Sequence, residues 1–361
     1  MSPEATSRQV DLLPVTVAKR GPFQHTREWA RSSAPRLDHV DLLKGLAIIG
    51  VVLHHVSIRP LGTDVATHVS FIVKAFAWAV YAFIFLAGYL HGRSTKVISS
   101  WEFVVQRARR LLVPYLILGV SYAGLRELTK AFRGADFASE HSRGFWSVIQ
   151  SLVTVNTGGI VGQQLYFYPL LFLISCLLIV IWSVIRTRRG GALLTAGLYL
   201  LIVSLALSGV HISNTGISRT MILAGLFQYS LGYLFGGSEL QQVSWRYAAI
   251  GMTAIGLLHL LWFGREALLV LALPLVFTLA FKRLADGRSF HLQPLRELGR
   301  ASSVIFAYHS PFILFSQIVL MHRWGVPPYC NVTVAFLNTL IICWSIWWVA
   351  GRIPALRFLR V

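Results

Sequence analysis

The sequence predicts an all-α membrane protein, a polytopic bundle of about ten transmembrane helices with both termini in the cytosol. Of its 361 residues, 55% are hydrophobic and 13% are charged. The mean hydropathy of +0.62 exceeds what a soluble domain of this length needs to fill a core. Long apolar stretches alternate with short basic runs, such as RTRRGG at residues 186–191. These observations together indicate repeated crossing of a lipid bilayer.

The net charge of +19 comes from 33 Lys and Arg against 14 Asp and Glu, and a nucleic-acid-binding protein could be equally basic. The basic residues, however, are distributed over short loops, as in GRIPALRFLR at residues 351–360, and form no single basic face. This distribution is typical of the cytoplasmic loops of membrane proteins. We therefore expect no nucleic-acid partner, and we expect a multi-pass protein of the cell (inner) membrane.

Residues 1–36 are polar and basic, are interrupted by several prolines and contain no apolar core ahead of a cleavage site. No signal peptide is expected, and we interpret this segment as a disordered cytosolic tail. A single transmembrane domain is expected over residues 37–361. The three cysteines, Cys176, Cys330 and Cys343, lack the paired spacing of a zinc site, so neither a metal nor a bound cofactor is expected.

Ten apolar segments of 15 to 22 residues approach the roughly 17 to 25 residues that a membrane span requires, and several of their ends are not sharply defined. In chain order they cover residues 42–58, 69–90, 111–125, 165–185, 192–210, 217–235, 247–263, 267–281, 301–321 and 332–350. With a cytosolic N-terminus, four of the five even-numbered spans end in basic loops, and GGSELQQVSW after the sixth span is the neutral exception. The positive-inside rule then places residues 186–191 in the cytosol and the charge-balanced loop at residues 126–144 outside.

The first span contains ionisable residues in the stretch RLDHVDLLKGLAIIGVVLHHVSI, residues 36–58. Lys44 and His55 are eleven positions apart, so on a helix they project from one face about 16 Å from each other. His54 points about a quarter-turn away and competes for the histidine role.

Two interpretations fit these residues. Lys44 could reach the headgroups while His55 only packs, or both could face a polar cavity, as ionisable groups inside membranes tend to do. Asp41 lies three positions before Lys44, and a second histidine, His309, lies within a later span. These two observations favour the cavity.

The stretch DLLKGLAIIGVVLHH, residues 41–55, resembles the first helix of the integral-membrane acyltransferase-3 family. The hallmark of that family is a basic residue, ten intervening positions and a histidine, a spacing that Lys44 and His55 match and His54 does not. Three further stretches are similar to family motifs in the same order: FIFLAGYLHGRS to a Phe-rich segment with Ser-Gly, RARRLLVPY to an Arg-x-x-Arg motif followed by proline, and AYHSPF to a late Tyr-x-x-His segment. The resemblance covers nearly the whole chain. Ala87 stands where the family often has serine, and Lys44 replaces the commoner arginine, which keeps the charge and loses bidentate geometry.

The resemblance implies an O-acyltransferase that moves an acyl group, with acetyl expected, from cytosolic acyl-CoA to a hydroxyl of a saccharide or glycolipid. His55 is the expected general base, because a neutral imidazole can accept the hydroxyl proton at neutral pH. Lys44 lies too far from His55 to orient it and is assigned to the pantetheine or phosphate end of the donor. Asp41 is expected to pair with Lys44 or with an arginine of the next cytosolic loop.

The remaining candidate residues each have an alternative role. Arg107 and Arg110, three positions apart, suit the donor phosphates or serve only as topology signals. His309, next to Tyr308, lines the same cavity or bonds a neighbouring helix. A third group, Tyr166 and Tyr168, stacks on the acceptor sugar or belongs to an interfacial aromatic belt.

A transporter or flippase for a lipid-linked saccharide is the alternative function, since it would also need a polar cavity, basic residues at the openings of that cavity and about ten spans. Such a protein predicts inverted repeats with helices broken at matching places. The prolines in or next to the spans do not recur at matching offsets. A membrane sensor or scaffold would not need Lys44 and His55 on one face.

Overall fold

The computed structural model describes residues 37–58, 76, 78–94, 99–133, 150, 163–185, 188–207, 219–237, 265–286, 292–318, 327–354 and 356. Within these ranges the chain forms helices and no strand, which confirms the predicted all-α class. The α-helices are α1 (Asp38–Ile58), α2 (Trp78–Arg93), α3 (Ser100–Arg133), α4 (Phe167–Ile185), α5 (Arg188–Leu207), α6 (Arg219–Gly237), α7 (Arg265–Asp286), α8 (Gln293–Ile318) and α9 (Pro328–Arg352). A 3₁₀ turn, Gln163–Tyr166, leads into α4.

Nine of the ten predicted spans coincide with these helices, while the seventh span, residues 247–263, and the predicted tail lie outside the described residues. In the part of the chain that the structure describes, three helical stretches are long and apolar enough to cross a membrane: Asp38–Ser57, Gln164–Ile185 and Tyr329–Arg352. Two shorter apolar helices cover Gly190–Ile202 and Met221–Gly237. The chain is an integral membrane protein, and the count of ten spans stays a prediction.

Two helices extend beyond the predicted spans. Helix α3 continues to Arg133 and includes residues 126–133 of the predicted outer loop, where RELTKAFR contains good helix formers and neither glycine nor proline. Helix α8 begins at Gln293, eight residues before the predicted span, with Pro294 in its first turn, where a missing N–H costs no helical hydrogen bond. Arg296 and Arg300, predicted to lie in a cytosolic loop, therefore lie on α8.

Helices α1 and α8 run parallel and meet at the backbone. A Cβ atom added to Gly45 of α1 would lie 2.0 Å from the carbonyl oxygen of Leu295, and one added to Gly299 of α8 would lie 1.8 Å from that of Asp41. Only hydrogen fits at both positions. The two glycines therefore set the close approach of the two helices.

Two ion pairs join the N-terminal parts of the same helices. Arg296 Nη1 lies 3.0 Å from Asp38 Oδ2, and Arg300 Nε lies 3.6 Å from Asp41 Oδ2. The Asp41 side chain is only 4% exposed, so its charge needs the nearby guanidinium. These pairs fix the register of α1 against α8.

Helices α2 and α6 also run parallel and use glycines from both sides of their interface. Each helix carries two glycines four positions apart, the spacing that lets membrane helices approach closely. A Cβ atom added to any of the four would lie 2.0 to 2.1 Å from a carbonyl oxygen of the other helix: Gly88 to Tyr229, Gly92 to Tyr233, Gly232 to Phe85 and Gly236 to Tyr89. The end of α2 is thus held directly against α6.

One face of α3 is apolar and exposed. Val113, Leu116, Ile117 and Val120 are 48 to 61% exposed and follow the i, i+3, i+4, i+7 spacing of one helical face. Such a surface is expected to contact lipid.

Candidate active site

His55 of α1 and His309 of α8 lie side by side, with ring centroids 5.0 Å apart and planes tilted by 42°. His309 is fully buried, whereas His55 and its neighbour His54 are half-buried. The His54 ring meets the His55 ring edge-on at 5.4 Å. Two of the histidines predicted from the sequence are thus brought together across the α1–α8 interface.

The hydrogen bonds of His309 define its tautomer. Its Nδ1 atom lies 3.0 Å from the carbonyl oxygen of Ile305 and 2.9 Å from that of Phe306. Because carbonyl oxygens only accept, Nδ1 carries the proton and donates it. The lone pair of the neutral ring is therefore on Nε2.

A proline two residues after His309 shapes the backbone at this point. Pro311 has no N–H, so the carbonyl of Ala307, four residues earlier, loses its helical hydrogen bond. The buried phenol of Tyr122, on α3, donates a hydrogen bond to that carbonyl instead. Tyr122 thereby ties α3 to α8 within one turn of His309.

Lys44 is half-buried on α1, one turn after Asp41 and on the same helix as His55. The sequence predicts that Asp41 pairs with Lys44 or with an arginine of the next cytosolic loop, and in the structure Asp41 forms an ion pair with Arg300 of α8. Acidic and basic groups therefore gather at the end of α1 that is predicted to be cytosolic.

The two arginines predicted for the donor phosphates have different surroundings. Arg107 is half-buried: its Nη2 donates to the Tyr229 hydroxyl at 3.2 Å, and its guanidinium lies 5.1 Å from the centre of the Phe103 ring. Arg110 is exposed. Only Arg107 reaches into the helix bundle.

Two residues near Arg107, Tyr229 and His91, were not predicted from the sequence. His91, one residue beyond the predicted second span, has its Nδ1 3.0 Å from the Tyr229 hydroxyl, and its ring stacks on Phe103 with centroids 4.6 Å apart. Burial and then the positive charge of Arg107 lower the pKa of His91 to about 4, so the imidazole is neutral at pH 7. The paired glycines of α2 and α6 were the feature of the sequence that could have revealed this contact.

The candidate tyrosines belong to the protein interior. Tyr166 and Tyr168 are 7% and 6% exposed, unlike residues of an interfacial belt. The Tyr168 ring lies 5.8 Å from the Phe306 ring, which lies 6.0 Å from His309. Tyr308 is half-buried. Tyr168 therefore belongs to the aromatic group that adjoins the histidines.

Comparison with known proteins identifies a protein family. Residues 37–348 match a family model described as an acyltransferase domain, and this range contains both histidines, Lys44 and Arg107. No curated protein and no solved structure matches the chain.

Proposed function

Because the chain belongs to the acyltransferase-3 family of integral membrane proteins, we propose that it O-acylates a sugar, cell-surface polysaccharide or glycolipid with an acyl group from cytosolic acyl-CoA. Acetyl is the favoured acyl group. The observation that carries this proposal is the contact of the half-buried His55 with the buried His309. Acyl transfer to a hydroxyl needs a positioned base, and an imidazole suits this role near neutral pH.

In the proposed reaction His55 is the general base. The acceptor oxygen attacks the thioester carbonyl carbon while His55 takes the hydroxyl proton. A carbon–oxygen bond forms, the carbon–sulfur bond breaks, and CoA leaves as a thiolate that recovers the proton from the imidazolium. His309, whose lone pair is on Nε2, is proposed to hold the His55 ring in place through the contact between the two rings.

The two substrates are proposed to enter from opposite ends of the bundle. Lys44, about 16 Å along α1 from His55, and Arg107 hold the donor at the cytosolic end, where their charges attract phosphate. The acceptor sugar approaches the histidines from the other end, beside Tyr168 and Tyr308. The buried Tyr166 packs behind these two tyrosines in the protein interior.

Replacing Arg107 with glutamine should raise the acetyl-CoA concentration needed for half-maximal rate by about tenfold or more, because a charge-assisted contact to phosphate is lost. Arg110→Gln is the matched control and should have a smaller effect, since Arg110 is exposed. Both variants should insert into the membrane normally. An unchanged value for Arg107→Gln would assign both arginines to topology alone.

The proposed orientation predicts that position 188 faces the cytosol and position 136 faces outward. The parallel contacts of α1 with α8 and of α2 with α6 agree with the predicted order of crossings, because they join predicted spans of the same parity. The basic loops indicate which side is cytosolic. In a variant without Cys176, Cys330 and Cys343, a membrane-impermeant thiol reagent added outside should label a cysteine at 136 and miss one at 188. The opposite labelling would overturn the orientation.

A further inference from the structure

Tyr229 and His91 lie beside Arg107, the candidate donor-binding arginine that reaches into the bundle. From their geometry we infer that they are positioning residues, which hold the Arg107 guanidinium where it binds an acyl-CoA phosphate. This inference rests on the proposed donor role of Arg107.

The hydrogen bonds form a chain with one direction. A guanidinium only donates, so the Tyr229 oxygen accepts from Arg107 Nη2 at 3.2 Å. The phenol proton is then available for His91 Nδ1, 3.0 Å away, which accepts it when the imidazole is neutral. Each bond in such a chain polarises the next one. Loss of the phenol oxygen would therefore release both Arg107 and His91.

Tyr229, at the centre of these hydrogen bonds, is held in a rigid position. Tyr229 is fully buried on α6, and its backbone carbonyl lies so close to Gly88 that an added Cβ would be 2.1 Å from the carbonyl oxygen. The buried Phe103 ring contacts the His91 ring on α2 and the Arg107 guanidinium on its own helix. A side chain that is already held in place loses less conformational entropy when it binds a ligand.

Among the residues that the structure describes, no carboxylate pairs with the guanidinium of Arg107. Within the described residues, Arg296 and Arg300 each pair with a carboxylate, whereas the partners of Arg107 are a neutral phenol and an aromatic ring. A guanidinium has five N–H donors, and the bond to Tyr229 uses one. The remaining donors suit the oxygens of a phosphate.

The test is Tyr229→Phe, which removes one oxygen and keeps the ring. The acetyl-CoA concentration for half-maximal rate should rise about fivefold, with the maximal rate nearly unchanged, because one hydrogen bond that positions the guanidinium is lost. Tyr233→Phe is the matched control: the Tyr233 ring also contacts His91, and this variant should change the value less than about twofold. His91→Phe should act in the same direction as Tyr229→Phe, since it removes the acceptor and can keep the stacking on Phe103.

The double variant Arg107→Gln, Tyr229→Phe separates positioning from a general structural role. If Tyr229 acts through Arg107, the second change should add little to the first. Full additivity, or equal effects of Tyr229→Phe and Tyr233→Phe, would overturn the inference. If Arg107→Gln alone raises the acetyl-CoA requirement while Tyr229→Phe and His91→Phe do not, the inference fails and the donor role stands. If Arg107→Gln has no effect, the donor role itself fails.

Discussion

Replacing His55 with alanine is expected to abolish acyl transfer, with turnover reduced on the order of a hundredfold or more. The proposed mechanism has no other group that takes the acceptor proton. Expression and thermal stability should stay nearly intact, because His55 is half-buried and the α1–α8 interface is held by glycines and ion pairs elsewhere. Acetyl-CoA turnover by the purified protein with candidate glycans is the measurement.

His54→Ala is the control for this substitution. His54 is also half-buried, but it lies outside the spacing that links His55 to Lys44, and the His309 ring contacts the ring of His55. It should therefore cost far less activity. Equal losses at both positions, or a loss at His54 alone, would mean that His54 carries or shares the role of base. A fully active His55→Ala protein would make a transporter or flippase for a lipid-linked saccharide the better account.

Replacing Gly232 with alanine is expected to prevent the close packing of α2 and α6. The added Cβ would lie 2.1 Å from the carbonyl oxygen of Phe85, so the backbones would have to separate along the whole glycine contact. Overpacking of side chains typically costs about 1–3 kcal/mol, and a clash with a rigid backbone should reach at least the upper end of that range. The expected result is a large fall in apparent melting temperature in detergent, or loss of monodisperse protein.

Gly124→Ala and Gly197→Ala are matched controls within α3 and α5. A Cβ atom at either position would meet nothing within 4 Å. Since alanine favours a helix more than glycine by up to about 1 kcal/mol, these changes should be neutral or slightly stabilising. If Gly232→Ala behaved like the two controls, close backbone contact between α2 and α6 would not contribute to stability.

The sequence by itself determined the helices, the membrane and the family. Hydropathy is a local property, so nine of the ten predicted spans coincide with described helices without any tertiary information. The basic-residue-to-histidine spacing within α1 identified the acyltransferase-3 family, whose model covers residues 37–348. Helix ends were less predictable, because charged residues such as Arg296 and Arg300 continue a helix beyond its apolar part.

Only the tertiary structure decided which side chains of different helices meet. The contact of His55 with His309, the pair of Asp41 with Arg300 and the contrast between Arg107 and Arg110 all depend on how helices pack. A periodic pattern shows which residues share a face of one helix. In a membrane, however, lipid and neighbouring helices are equally apolar, so hydrophobicity does not select the partner of that face. Close backbone approach at glycines and a few polar contacts make that selection, and both depend on residues far apart in the chain.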